Sequence, residues 1–186
     1  MPERLVLASA SPQRRAILTQ VGIAFDVRPA DVEEESSGDP VAVAEANARA
    51  KATAHAAAGL VLGVDTIVAV DGEILGKPAD AEQAREYLER LAGRTHEVVG
   101  GFALAEDGDV VVAGVEKTSV SFRPATDGLL DWYVGTGEWK GRAGGYAIQG
   151  AGAVLVSAIE GDYLNVVGLP LVRLLDLRPD LLPSGG

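Results

Sequence analysis

The chain has 186 residues, 47% of them hydrophobic, enough for one domain with its own core. Sixteen basic residues stand against 27 acidic ones, a net charge of −11, which excludes a broad basic surface for polymeric nucleic acid and leaves any polyanion to a local cluster of cations. The absence of cysteine excludes disulfides and thiolate metal sites, and with His55 and His96 as the only histidines a bound metal is expected to be a hard ion on oxygen ligands.

In chain order, "RLVLAS" (4–9) reads as a short apolar strand, and the four apolar residues after Arg4 are too few for the apolar segment of a secretion signal. Ser11 fits an N-cap with Pro12 at the first helical position and Gly22 closing the helix. Asp39 and Pro40 open a second, alanine-rich helix that closes near Gly59. "LVLGVDTIVAV" (60–70) has strand character, and the Asp-Gly pair at 71–72 turns it back through "ILGKP". Asp80 and Gln83 give the capping-box pattern for a third helix, whose Ala84, Tyr87, Leu88 and Leu91 recur at helical spacing before Gly93.

Two further strands flank "DGD" (107–109), and a short helix, "LLDWYV", precedes the glycine-rich "GTGEWKGRAGGYAIQGAG" (135–152). One more strand leads to a helix starting near Pro170, and the tail from Pro179 to Gly186 is expected to fray. Hairpins rule out a purely parallel sheet, so the reading is a single mixed α/β domain over residues 1–186. The longest uncharged run, Ala143 to Ile159, is too rich in glycine to read as a membrane span, and a cytoplasmic location is expected.

Gln13, Arg14 and Arg15 fall in the first turn of the first helix, where the helix dipole disfavours cations. Free backbone N–H groups, the dipole and two guanidiniums converge there, with Ser9 and Ser11 adding hydroxyls; an anion such as phosphate resolves the repulsion. The alternative is a plain helix start with both arginines in water. Asp65 interrupts an apolar run at what reads as a strand end, where a carboxylate needs a cation, a metal or hydrogen bonds, unless it only caps a turn with Thr66. In the acidic run "DVEEE" (31–35), either Glu33 or Glu34 facing Asp65 would complete a magnesium-type site. Lys51 and Lys77 are either surface charges or phosphate ligands, and Gly76 and Pro78 fix the backbone around Lys77. Trp132 and Tyr133 are expected in the core, Trp139 against a base or a dimer surface, and His96 as a neutral histidine satisfied by backbone.

Six stretches, "LASASPQRRAIL", "EANARAKA", "GVDTIVAVDGEILGKP", "LAGRTHEV", "GGYAIQGAGAVLV" and "EGDYLNVVGLPL", resemble the Maf family of nucleoside triphosphate pyrophosphatases, in order from Leu5 to Leu175. The resemblance implies a fold like that of inosine triphosphate pyrophosphatases: an elongated, twisted mixed sheet flanked by helices, with a cleft between two lobes. It implies hydrolysis of a nucleoside triphosphate to the monophosphate and pyrophosphate, a divalent cation (Mg2+, with Mn2+ or Co2+ as alternatives), and a homodimer. It places the general base at Asp65, metal binding at Glu34 with Asp65, and phosphate binding at Arg14, Lys51 and Lys77. Base specificity falls on Gln13, Thr66 and Gln149, and "AIQG" is similar to the branch acting on dTTP and UTP rather than 7-methyl-GTP. CTP or modified nucleotides are further candidate substrates. A glutamine supplies both a donor and an acceptor for a uracil or thymine edge, unless Gln149 only satisfies loop backbone. Gln13 stands where many members have arginine, Gly141 and Arg142 replace an Asp-Lys pair, and Gly100 replaces a frequent threonine. The family's link to septum formation leaves a second reading, a nucleotide-binding regulator of cell division without turnover, against which an intact Asp65 among phosphate-binding cations speaks.

Overall fold

Strand β3 (Leu60–Val70) is the axis of the molecule, because every other part of the site hangs from it. The computed structural model describes residues 4–183. β3 pairs antiparallel with β5 (Thr95–Glu106), which pairs with β6 (Asp109–Phe122) and through it β7 (Val156–Glu160). On the other edge of β3, β1 (Leu5–Leu7) runs parallel beside Val61 and Leu62 and carries the parallel β2 (Phe25–Val27), which the sequence reading lacked. Strand β4 (Glu73–Leu75) folds back beside Val68 to Val70 on that same edge. Between β1 and β4, residues 63–67 of β3 keep their pairing with β5 but have no strand neighbour on this second edge among the described residues. The seven-stranded mixed sheet is therefore notched at its middle.

The turns obey local chemistry. Asp71-Gly72 and Asp107-Gly108 both hold two consecutive positive φ angles, the requirement of tight two-residue hairpin turns. Helix α1 (Pro12–Gln20) starts at Ser11 as expected, although the Ser11 hydroxyl makes no capping bond. Asp39 caps α2 (Pro40–Thr53) by accepting from the Ala42 N–H, and Asp80 caps α3 (Ala81–Leu91) by accepting from Gln83 N–H.

Successive residues of β3 face opposite sides of the sheet. On one side Gly63 meets α2 so closely that a Cβ would lie 2.1 Å from the Ala48 carbonyl oxygen, and at Gly101 of β5 one would lie 2.2 Å from that of Ala44. Glycines on the strands and alanines on the helix thus let α2 lie directly on the sheet backbone, which explains its alanine-rich composition. On the opposite side two separate cores form. One joins Leu62, Val64 and Phe102 to α1 and α6 (Leu171–Leu177). The other joins Val68, Val70 and Val98 to α3 and α4 (Asp127–Gly135). The cleft opens between them, beside the notch.

Helix α5 (Tyr163–Val167), unforeseen in the sequence, buries Asn165, whose Oδ1 would lie 1.9 Å from a Cβ at Gly100; this asparagine fills the space that a side chain at position 100 would take. Tyr133 is buried as expected, but its neighbour Trp132 is 50% exposed, since adjacent residues of α4 cannot both face the core. Of the tail, Pro179–Leu181 form a 3-10 turn, and residues 184–186 lie outside the described residues. Among the described residues no helix is long and apolar enough to cross a membrane.

Candidate active site

Asp65 lies in the middle of β3, not at a strand end, and inside the notch. The expectation failed because a single charged residue in an apolar run looks like a terminus; here the run continues and the neighbouring strands stop instead. The side chain is buried against α2, where Lys51 Nζ donates to Oδ1 at 2.7 Å and Asn47 Nδ2 donates to Oδ2 at 3.0 Å. Lys51 also donates to the Val64 carbonyl at 3.4 Å and pairs with Glu34 Oε1 at 3.1 Å. These partners compensate the desolvation of the carboxylate. Asn47 and Lys51 are one helical turn apart, so both reach the same carboxylate from one face of α2.

Asn47 was absent from the sequence reading. It is buried, accepts from the Glu35 N–H at 2.8 Å and donates to the Glu35 carbonyl at 2.9 Å, tying the acidic loop to the helix. An asparagine four residues before a lysine on an otherwise alanine-rich face was the available signal. Of the two candidate glutamates, Glu34 faces the cleft and Glu33 does not line it.

Thr66 points to the other side of β3, toward α1. Arg14 Nη2 donates to its Oγ1 at 3.0 Å, Nη1 donates to Ser9 Oγ at 2.8 Å, and Nε donates to the Gly168 carbonyl at 2.8 Å. Three of five donors are thus used on neutral acceptors, which fixes the guanidinium and leaves two for a ligand. Burial lowers the Arg14 pKa, and the negative charges of Asp65 and Glu34 pull it back up. Arg15, expected to join Arg14, is exposed and does not line the cleft, because a helix turns about 100° between neighbours. Ser11 Oγ donates to Gln13 Oε1 at 3.2 Å.

The facing wall comes from β4's loop and the glycine-rich stretch. Lys77 is exposed there and makes no ion pair among the described residues. Gly76 has no positive φ and open space at its Cβ position, so it imposes no special conformation on Lys77. Gln149 is exposed at the rim and makes no protein hydrogen bond among the described residues. The alternative of a glutamine that only satisfies loop backbone is therefore not met. Trp139 reaches neither a base nor a surface: it is buried in the second core with Nε1 donating to the Val134 carbonyl. His96 is buried and its Nε2 meets the Tyr146 hydroxyl at 2.8 Å rather than backbone; burial lowers its pKa to about 4 and keeps it neutral. Tyr146 lines the cleft beneath Gln149.

Ser9, Ser11, Gln13, Arg14, Glu34, Lys51, Asp65, Thr66, Lys77 and Gln149 all line one cleft of about 790 Å³, whereas Arg15 and Glu33 do not. The donor set suits a divalent cation of the magnesium type. Glu34 and Asp65 bracket one ammonium, so two carboxylates already converge on a single positive charge. Among the described residues no cluster of three or more potential metal-ligating side chains exists. Two carboxylates fit a hard divalent cation whose remaining positions phosphate oxygens and water would fill.

Residues 4–179 match the family model described as Maf-like protein. The chain is 46% identical to the dTTP/UTP pyrophosphatase of Pyrococcus furiosus over 182 residues, 94% of either chain. It is 47% identical to that of Anaeromyxobacter dehalogenans over 182 residues, 93% of this chain and 91% of the other. Among solved structures, a HAM1 protein from Coxiella burnetii superimposes with a TM-score of 0.52 at 17% identity over 95% of this chain and 98% of the other, a likeness of fold.

Proposed function

The chain belongs to the Maf family, and from that premise we propose that its cleft hydrolyses pyrimidine nucleoside triphosphates, dTTP and UTP foremost, to the monophosphate and pyrophosphate. One observation carries the reading: a buried, paired carboxylate and three cations, Arg14, Lys51 and Lys77, line a single cavity in a protein of net charge −11.

Asp65 accepts the proton of the attacking water, because Lys51 and Asn47 fix its carboxylate in place and leave a lone pair free on each oxygen. The water oxygen bonds to the α-phosphorus as the bond to the bridging oxygen toward the β-phosphorus breaks, and pyrophosphate leaves. Arg14, fixed by Ser9, Thr66 and Gly168, offers its remaining donors to the phosphates without reorganising. Lys77 adds a point charge from the facing wall, and the N–H groups at the start of α1 add partial charge. A divalent cation, held by Glu34 and Asp65, would supply neutralisation of the phosphate oxygens.

Gln149 supports the pyrimidine preference, since its unpartnered amide carries one donor and one acceptor for a uracil or thymine edge. A glutamate there would only accept. The homodimer implied by the family resemblance and the cytoplasmic location expected from the sequence belong to the same proposal, and light scattering of the purified chain reads the first.

The test is pyrophosphate release by purified protein with UTP, dTTP, CTP, 5-methyl-UTP, pseudo-UTP and 7-methyl-GTP under Mg2+, Mn2+ and Co2+. Turnover of UTP and dTTP is expected. Binding of UTP without pyrophosphate release would overturn the reading in favour of a nucleotide-binding regulator.

A further inference from the structure

The loop that presents Gln149 is held by a side chain to which the mechanism gives no task. Glu138 lies just after α4, at the start of the glycine-rich stretch, and both of its carboxylate oxygens accept backbone N–H groups: Oε1 from Ala151 at 2.9 Å and Oε2 from Gly152 at 2.9 Å. Two charge-assisted hydrogen bonds from one carboxylate to consecutive amides define a loop position more tightly than neutral contacts do. Gly150 completes the fit. A Cβ at that residue would lie 1.7 Å from Glu138 Oε1, so the missing side chain is what admits the carboxylate. On the near side of Gln149, the Ala147 N–H donates to the hydroxyl of buried Tyr133 at 3.1 Å. Gln149 is thus flanked on both sides by anchored amides while its own amide stays free.

We infer that Glu138 is a positioning residue for base selection: by pinning Ala151 and Gly152 it fixes the loop that aims the Gln149 amide into the cleft. The inference rests on the reading of Gln149 as the base-recognising group. Glu138 itself lines the cleft and carries a negative charge, so its removal also changes electrostatic attraction of the triphosphate. That effect is common to all nucleotides and cancels in a ratio of kcat/KM values, whereas loss of aim at the base does not cancel.

The experiment measures kcat/KM for UTP divided by kcat/KM for GTP in the wild type, Gln149→Ala, Glu138→Ala, Glu138→Gln, Gly150→Ala and the Gln149→Ala/Glu138→Ala double variant. Gln149→Ala should lower the ratio about 10-fold, within the range a single lost recognition contact produces. Glu138→Ala should lower it comparably, and the double variant should lose no more than either single one, since both remove the same interaction. Glu138→Gln keeps one acceptor oxygen and should fall between Glu138→Ala and wild type. Gly150→Ala leaves φ in an ordinary region and displaces the carboxylate sterically, so it should reproduce the loss with Glu138 present. If Glu138→Ala fails to fold, the isosteric glutamine and Gly150→Ala carry the test. A lowered ratio in Gln149→Ala with wild-type ratios in the folded Glu138 and Gly150 variants overturns the positioning role while sparing the reading of Gln149. An unchanged ratio in Gln149→Ala overturns that reading and the positioning role with it.

Discussion

The ammonium of Lys51 sits 2.7 Å from Asp65 Oδ1 while also touching Glu34, so one side chain from an alanine-rich helix bridges two carboxylates of the cleft. Removing Lys51 leaves Asp65 buried with Asn47 as its remaining side-chain partner. Lys51→Met is expected to cost about 3 kcal/mol of stability, as breaking a buried pair does, and to lower turnover as well. Urea unfolding together with pyrophosphate release checks this; wild-type stability would mean that the pair is solvated rather than buried.

Asp65→Asn keeps the shape of the side chain but cannot take a proton, and its amide nitrogen sets a donor against the donor of Lys51 or of Asn47. Turnover of UTP should fall by roughly 10²- to 10⁴-fold, the range attributed to general base catalysis. Full activity in this variant would remove Asp65 from the chemistry.

His96 gives a pH signature. Burial lowers its pKa to about 4 in the folded protein against about 6.5 unfolded, so between these values the unfolded chain binds more protons. The contribution is complete above about pH 6.5 and is lost as pH falls toward 4, amounting to about 2 kcal/mol between pH 7.5 and pH 5. Urea denaturation at the two pH values, in the wild type and in His96→Gln, isolates it. Parallel pH dependences in the two proteins would assign the loss to other groups.

At Gly63, a Cβ would strike the backbone of α2 2.1 Å from the Ala48 carbonyl oxygen. Gly63→Ala must therefore lift the helix that carries Asn47 and Lys51, and should cost about 2 kcal/mol or more along with most of the activity. Gly76→Ala, with open space and no positive φ, serves as the neutral comparison in stability. Equal stability of the two variants would show that α2 does not rest on the strand backbone.

Gln13→Arg adds a cation at the start of α1. A several-fold lower KM for every triphosphate, weakening as salt rises, is expected, because the gain is electrostatic and independent of the base. A gain confined to one nucleotide would instead make position 13 a base-reading residue.

Much of this arrangement was legible because it is local. Ser11-Pro12 starts a helix by its own chemistry, and Asp-Gly pairs turn strands back wherever they fall between apolar runs. What escaped depends on residues far apart in the chain. The spacing of Asn47 and Lys51 marks a polar pair on an alanine-rich face but does not say that Asp65 lies beside it, and Arg14 and Arg15 are indistinguishable until the sheet selects one face of α1. Trp139 read as available because glycines surround it, yet the short turns those glycines permit are what fold its ring inward. Strand β2 is three residues long and β1 alone recruits it, so no period in the sequence marks it.

The notch in β3 has a further consequence for the molecule in solution. A strand edge left uncovered between two short neighbours exposes backbone groups ready to pair with an extended peptide, the usual starting point of self-association. Here the Val64 carbonyl is engaged by Lys51, and the charges that draw in a phosphate chain would have to be desolvated before a foreign strand could dock. The groups proposed to hold and cut the triphosphate thus also guard this edge, and variants that strip them are expected to self-associate more readily.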